Sequence, residues 1–425
     1  MTEQKKNYAL PIAMMFALFF MIAFVTGLPS PMGVIAAKQF GASNFESQLG
    51  FFANFIAYAF MGIPAGIMLK KIGYKKTALI AIGVGFVGVG TQFLSGRVEL
   101  FSVYLIGAFI SGFSMCMLNT VVNPMLNTLG GAGNKGNQLI QFGGSINSIA
   151  ATITPMLVGY LMGAAAGRTI EKANPALFLA MGIFALAFIV LSFVNIPEPH
   201  MEKTNEQKAK KAHSPLAFRH FILGAIGIFV YVGIEIGIPS TANLFMTDAT
   251  KGLGIDATIA GTVVGTYWFL MLIGRLCGGA LGAKFSSKAM LTFTSGLGLI
   301  LVLFAIFLSK TTLVSMPVFQ SDLSFGLAKV PINVMFMALC GLCTSIMWGG
   351  IFNLAVEGLG KYTAAASGFF MVMVCGGGII PLIQGSVADN FGYLSSYWVM
   401  FVCIAYLLYY ALIGCKNVNK DIPVD

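Results

Sequence analysis

The chain has 425 residues, of which 57% are hydrophobic and only 9% charged, and its mean hydropathy is +0.85. A soluble domain carries about 25% charged residues, so a soluble enzyme, a nucleic-acid binder and a disordered scaffold are excluded. Lipid is the solvent for most of the chain. The net charge of +10 falls in short gaps between apolar runs, where membrane orientation explains it.

Met1 to Tyr8 is polar and basic. The apolar run behind it is too long for a signal-peptide core and lacks a small-x-small cleavage site, which predicts an uncleaved first span. A helix crosses about 30 Å of hydrocarbon with about 20 mostly apolar residues. Runs of that kind fall at 9–29, 48–69, 77–95, 101–126, 138–163, 175–195, 220–246, 258–281, 289–308, 330–356, 363–386 and 394–414. They predict an all-α membrane protein with twelve transmembrane helices. A barrel is excluded, because its strands would be about 10 residues of strict alternation and these runs are apolar all round. The seven cysteines lie in or at the end of apolar stretches, so no disulfide framework is expected.

With an even number of spans, both termini share one side. The gaps on that side hold seventeen Lys and Arg, among them Lys70, Lys71, Lys75, Lys76, Lys203 and Lys211, against seven in the opposite gaps. The positive-inside rule then predicts cytoplasmic termini.

The two halves of the chain echo each other. Gly27-Leu28-Pro29-Ser30 returns as Gly237-Ile238-Pro239-Ser240, 210 residues on. Gly66, Lys71 and Lys75 return as Gly279, Lys284 and Lys288 at an offset of 213, and Asn123 with Leu129-Gly130 returns as Asn353 with Leu359-Gly360 at 230. The long gap around Lys310–Lys329 accounts for the step between the last two offsets. Spans n and n+6 therefore match, which is the parallel six-helix repeat of the major facilitator fold, with substrate bound near mid-bilayer between the halves. Residues 1–196 are predicted as the first bundle, 197–218 as a cytoplasmic linker and 219–425 as the second bundle.

A charge at bilayer depth costs about 2.5 kcal/mol or more, so it should face a cavity. Glu235 is the one acid well inside a span and Arg275 the one base. At the helical rise, Glu235 lies about 24 Å from the span end at Arg219 and Arg275 about 13 Å from Lys284. That difference in depth, about 10 Å, weighs against a direct ion pair without excluding one. Desolvation disfavours a carboxylate, so Glu235 is a candidate to load and release a proton; gripping substrate and a purely structural role are its alternatives. Arg275 reads as structure or gating, or else as a substrate contact.

Span 4 carries Asn119, Asn123 and Asn127 on one helical face, and Pro124 is expected to kink it. Span 5 opens with Gln138, Gln141, Ser145 and Asn147. Amides donate and accept at once, which suits hydroxyl-rich ligands. Asn54, Tyr58, Asn243, Asn353 and Gln384 add to that store, and Trp268 and Trp348 offer aromatic faces for the apolar side of a pyranose. Taken singly, each amide reads as helix–helix glue; the run in spans 4 and 5 favours a site. Gly83-x-Gly85-x-x-Gly88 matches a dinucleotide fingerprint, but no strand precedes it; Cys340-x-x-Cys343 has redox spacing but lies in lipid. Both read as helix packing. No metal, cofactor or catalytic motif is found.

The stretch Asn119-Thr120-Val121-Val122-Asn123-Pro124 with Leu129-Gly130, followed by Leu139-Ile140-Gln141, resembles spans 4 and 5 of the fucose–galactose–proton symporter family. Further matches are Gly62-Ile63-Pro64-Ala65-Gly66 with Lys70-Lys71 and Tyr74-Lys75, Tyr231-Val232-Gly233, Ile273-Gly274-Arg275, Ser345-Ile346 with Ile351-Phe352, and Gly376-Gly377-Gly378. The likeness runs over most of the chain. It implies a monosaccharide symporter with Gln141, Asn119 and Trp348 at the sugar. The family's fucose permeases carry an Asp late in span 1, where this chain has Ser30, and a Glu before the span 4 Asn-Pro, where it has Asn119. Glu235, at a span 7 position where glucose/galactose relatives tend to carry Glu, is the acidic candidate that remains. The expected activity is uptake of a hexose such as glucose, galactose or L-fucose through the inner membrane, by proton symport with alternating access, in a monomer. An uncoupled or sodium-coupled carrier, a sugar sensor that does not transport and a drug exporter of the same fold are the alternatives.

Overall fold

The structure is a computed structural model that describes residues 8–39, 41–130, 135–161, 169–196, 198, 214–281, 284–320, 324–359, 362–419 and 422. The side chains of Asn127, Gln138 and Gln141, and the greater part of the 197–218 segment, lie outside the described set.

The helices follow the apolar runs. α1 (Ala9–Gly27) and α2 (Pro29–Gln39) continue one another through Leu28, whose backbone is itself helical, so the first span covers Ala9–Gln39. It passes the predicted end because Ser30, Lys38 and Gln39 thin the hydropathy there, while Met32 to Ala36 are buried against neighbouring helices. α3 (Asn44–Ser47) is a single turn closed by a capping box between Ser43 and Glu46. α4 (Leu49–Ile72) and α5 (Tyr74–Val98) are joined at Gly73, whose φ of 86° is open to glycine at no steric cost. The Glu198 carboxylate accepts from the backbone N–H groups of Tyr74 and Lys75 at the start of α5, where the helix dipole favours an anion. α6 (Phe101–Gly130), α7 (Lys135–Leu161) and α8 (Asn174–Phe193) complete the first half, with Pro124 and Pro155 inside α6 and α7.

The second half opens with α9 (Arg219–Thr247), α10 (Ala257–Leu281) and α11 (Ser287–Phe307). The stretch around Lys310–Lys329, which hydropathy shows only as a long gap, holds a hairpin in which β1 (Leu313–Phe319) pairs antiparallel with β2 (Phe325–Pro331). It leans on α10: the Phe319 N–H donates to Thr266 Oγ1 at 3.0 Å, and the Phe319 ring stacks on Phe269 at 4.8 Å. Spans 10 and 11, each predicted as one helix, are each broken in two. They form α12 (Ile332–Thr344) with α13 (Met347–Val356), and α14 (Thr363–Met373) with α15 (Gly376–Phe391). The breaks fall at Ser345-Ile346 and at Val374-Cys375, the second directly before Gly376-Gly377-Gly378, where glycine weakens helical continuity. α16 (Tyr393–Tyr409) follows. Among the described residues, eleven helices or helix pairs are long and apolar enough to cross a membrane, and Phe142–Val158 of α7 is a shorter apolar one.

Lipid supplies no hydrophobic drive between helices, so small residues that let backbones approach hold them together. A Cβ on Gly85 would lie 2.3 Å from the Phe184 ring, and one on Gly88 2.6 Å from the Ser111 backbone nitrogen. A Cβ on Gly341, between Cys340 and Cys343, would lie 2.2 Å from the Tyr267 carbonyl oxygen. Gly85 and Gly88 of the nucleotide-like motif and Gly341 of the redox-like one are therefore packing contacts.

The two halves meet along α4 with α15 and α7 with α10. On the side away from the chain ends, called here the far side, polar contacts close the seam. The backbone N–H groups of Asn44 and Phe45 donate to the Asp389 carboxylate at 2.8 and 2.9 Å. Gln48 Nε2 donates to Ser240 Oγ and Thr241 Oγ1, each at 3.3 Å, and Asn243 Nδ2 donates to Ser30 Oγ at 3.2 Å. Both copies of the duplicated Gly-x-Pro-Ser segment thus end at this closure. Asp389→Ala removes a carboxylate that holds two N–H groups of the opposite half, worth about 1–2 kcal/mol at a half-buried site. The expected outcome is about a tenfold rise in the ratio of far-side-open to far-side-closed molecules. Spin labels on cysteines at Arg97 and Lys251, both exposed and on opposite halves, read that ratio; an unchanged distance distribution shows that Asp389 does not hold the seam.

A second far-side clamp stays within the C-terminal half. Asp248 accepts from Thr250 N, Thr250 Oγ1, Lys251 N and the Tyr393 hydroxyl at 2.7, 2.7, 3.1 and 2.9 Å. Burial disfavours its charge, but these bonds outweigh burial and hold the carboxyl below the usual aspartate range. The clamp on α16 is present at neutral pH and lost only as pH falls through that lowered value.

Candidate functional site

A cavity of about 980 Å³ lies between the halves, at the upper end of the range for small-molecule sites. It is walled by α1, α4, α6 and α7 from the first half and by α9, α10, α13 and α14 from the second. Towards the chain ends it reaches Phe285, Ser287 and Met290, beside the start of α11; at the other end it stops at Ser30 and Ser240, where the seam is closed.

One wall is rich in amides. Asn119 Nδ2 donates to the Tyr58 hydroxyl at 3.0 Å and to the Met115 carbonyl at 3.1 Å. Asn123 Nδ2 donates to the Asn119 carbonyl at 3.0 Å, and Asn147 Nδ2 to the Phe19 carbonyl at 3.3 Å. Nearer the chain ends, Asn353 Nδ2 donates to Ser287 Oγ at 3.4 Å. An amide has two N–H donors and an acceptor oxygen, so each of these side chains has hydrogen-bonding capacity beyond the bonds it makes.

Aromatic rings face the amides. Phe51, Phe55 and Tyr58 form a stacked ladder along α4, with centroids 6.5 and 5.9 Å apart. Trp348 tilts against Tyr231 at 6.1 Å, and Trp268 meets Tyr267 edge-on at 5.4 Å. Trp348 comes within reach because the break between α12 and α13 turns the chain at Ser345-Ile346, both of which also line the cavity.

The two intramembrane charges are paired, contrary to the expectation from depth. Arg275 Nη2 lies 3.2 Å from Glu235 Oε1, with the two side chains 18% and 15% exposed. The depth estimate treats both helices as upright and stops at the backbone; the long arginine side chain covers the remaining separation. The other guanidinium nitrogen, Nη1, donates to Ser148 Oγ at 2.7 Å and to the Gly144 carbonyl at 3.0 Å, both on α7.

Of the residues proposed from the sequence, Tyr58, Asn119, Asn123, Asn147, Glu235, Trp268, Arg275, Trp348 and Asn353 line this one cavity. Asn54 and Gln384 do not. Asn54 is buried, and its Nδ2 donates to the Ala108 carbonyl at 3.2 Å, a helix–helix bond inside the first half. Gln384 is fully buried against α9, its Oε1 2.7 Å from where a Cβ on Gly237 would sit. Asn243 belongs to the far-side closure. Gln138 and Gln141 lie on α7, but their side chains are outside the described set. Sequence reasoning missed Ser148, Tyr231, Phe51 and Phe55. Gly144 and Ser148 stand one turn apart, but a small-x-x-x-small pair reads equally well as packing. The phenylalanines are indistinguishable by type from those facing lipid.

The sequence model of the Major Facilitator Superfamily matches residues 14–381. The chain belongs to that superfamily, whose members are transporters and not enzymes. It is 29% identical to a glucose/galactose transporter of Brucella abortus over 420 residues, covering 98% of this chain and 97% of that protein. It is 24% identical to the L-fucose-proton symporter of Escherichia coli K12 over 416 residues, 92% of this chain and 89% of that one. The crystal structure of FucP in the outward conformation matches with a TM-score of 0.68 at 20% identity, covering 96% of this chain and all of that one. The nucleoside transporter NupG matches at 0.64 with 14% identity, covering 95% and 97%. Solute sites in folds of this kind lie near mid-bilayer between the two halves.

Proposed function

We propose that this chain takes up a monosaccharide, a hexose such as glucose, galactose or L-fucose, across the inner membrane by proton symport. The observation that carries the reading is the convergence of Asn119, Asn123 and Asn147, two tryptophans and the Glu235 carboxylate on one cavity at the seam. Sugar hydroxyls donate and accept, so amides match them, and an indole face covers the apolar side of a pyranose. The sugars in the names of the relatives point the same way. Residues 1–196 and 219–425, joined by 197–218, rock against each other as a monomer. The excess of Lys and Arg on the side of the chain ends supports cytoplasmic termini. The cavity then faces the cytoplasm here, and the likeness to FucP in its outward conformation supports a fold that also reaches the opposite opening. Glu235 takes its proton from water in the vestibule.

Uptake of labelled glucose, galactose and fucose into proteoliposomes tests this, with a proton gradient, a sodium gradient or neither. Accumulation that collapses with a protonophore supports symport. A sodium requirement, or equilibration without accumulation, replaces the coupling; binding without uptake makes the protein a sensor. Trp348→Ala is expected to weaken sugar binding about tenfold, the loss of about 1.4 kcal/mol of stacking, measured by thermal shift against sugar concentration. Unchanged affinity removes Trp348 from the site.

A further inference from the structure

Tyr58 of α4 and Asn119 of α6 meet on the cavity wall of the first half. Asn119 Nδ2 lies 3.1 Å from the Met115 carbonyl oxygen, one turn earlier on the same helix, and 3.0 Å from the Tyr58 hydroxyl. A carbonyl oxygen only accepts, so the amide atom that faces Met115 must be the nitrogen, and the orientation of the carboxamide is settled by chemistry. An amide nitrogen carries two N–H groups, and these two bonds use both. Asn119 Oδ1 is left over: among the described residues nothing donates to it, and the side chain lines the cavity.

Tyr58 is itself held in place. Its ring is 2% exposed and stacks on Phe55 with centroids 5.9 Å apart. One turn before it, the backbones of α4 and α6 nearly touch, since a Cβ on Gly112 would lie 2.0 Å from the Asn54 carbonyl oxygen. The Tyr58 oxygen accepts from the amide, so its own hydrogen points elsewhere. The other amides of the wall are not fixed to the same degree. Asn123 gives one N–H to the Asn119 carbonyl and Asn147 one to the Phe19 carbonyl, so each keeps a donor beside its acceptor oxygen.

We propose that Tyr58 is a positioning residue that makes Asn119 an acceptor-only group, so that this point of the cavity selects a substrate group that donates: a hydroxyl, and not an ether oxygen, a carbonyl or a fluorine. Turning the amide over to meet an acceptor would break both bonds and set Oδ1 against the Met115 carbonyl. A substrate acceptor at this point faces an oxygen that has nothing to receive, and a site wired to pair a hydroxyl rejects the analogue lacking it more strongly than shape alone does. A bond that served only to join α4 to α6 would alter stability when cut, but not which sugar hydroxyl counts. The inference rests on the cavity being the monosaccharide site, and adds which of its amides is fixed in polarity and by what.

The test is binding to the full chain, by thermal shift against concentration, of glucose, galactose and L-fucose, and then of the best-bound sugar with its hydroxyls replaced by fluorine one at a time. In the parent, fluorine at one particular position is expected to weaken binding about tenfold. Asn119→Ala is expected to abolish that penalty and so to mark the hydroxyl that Asn119 reads. In Tyr58→Phe the penalty at this position is expected to fall to about threefold or less, because the released N–H meets the fluorine, while the penalties elsewhere on the ring stay as in the parent. Asn119→Asp is the second variant: an ionised carboxylate has no N–H and needs no tyrosine to remain an acceptor, so it is expected to keep the penalty at the same position. A penalty in Tyr58→Phe equal to that of the parent overturns the proposal, as does equal weakening at every position or loss of the penalty in Asn119→Asp. If none of the three sugars shifts the melting of the parent, the monosaccharide reading falls and this inference with it; if they bind and Tyr58→Phe keeps the full penalty, this inference alone falls.

Discussion

Glu235→Gln is expected to abolish accumulation of sugar against its gradient while leaving sugar binding and counterflow exchange in place. The amide keeps the shape and hydrogen-bonding reach of the carboxyl but does not exchange a proton. The permanently neutral side chain resembles the loaded state, so the carrier still binds and still rocks. Intravesicular sugar should rise only to the external concentration, with or without a proton gradient. The sharp readout is the contrast between two assays on one preparation: gradient-driven accumulation at the equilibrium level, and exchange within about threefold of the parent (on the order of 0.6 kcal/mol in barrier). Accumulation that survives unchanged removes Glu235 as the proton site. Loss of both activities would show that the ion pair with Arg275, seen at 3.2 Å, is needed for the fold or for sugar binding.

The second large effect is structural. Gly112→Ala is expected to disrupt the first half, although alanine is ordinarily the better helix former by about 1 kcal/mol. A Cβ at Gly112 would lie 2.0 Å from the Asn54 carbonyl oxygen and 2.7 Å from the Ala57 Cβ. The first of these is backbone and yields only if α4 moves as a whole. Overpacking of this kind typically costs about 1–3 kcal/mol, and more where backbone must shift. α4 also carries Phe51, Phe55 and Tyr58 of the cavity wall, so sugar-induced stabilisation should vanish with the folded yield. Gly83→Ala, on a helix face with nothing within 4 Å of the added carbon, is the matched control and should keep or raise the melting temperature. Equal behaviour of the two variants in size-exclusion profile and melting would show that the α4–α6 approach is not a constraint.

How much of this was legible beforehand differs from residue to residue. Spans such as α5, α8 and α11 could be read because an unbroken apolar run of the right length has no competing explanation in a chain this poor in charge. The broken spans could not. Ser345-Ile346 and Val374-Cys375 lie inside runs of high hydropathy, and hydropathy averages over the very turn that brings Trp348 into the cavity. Asn119 and Asn123 stood out by their common face, and Asn54 by its polarity, yet a carbonyl partner at Ala108 uses Asn54 for packing. A polar residue in lipid must satisfy itself somehow, and one-dimensional spacing does not distinguish a neighbouring helix from a water-filled vestibule.

The chain's own order of residues determined the lipid solvent and the helical, many-span fold, because each depends on composition or periodicity summed along the chain. Only the packed molecule decided that Arg275 reaches Glu235, Ser148 and Gly144 together, and that the gap after α11 folds into a hairpin against Thr266 and Phe269. It also decided which end of the seam is shut. These depend on where side chains from distant segments arrive in space, and a few ångströms there turn a lone buried charge into a paired one.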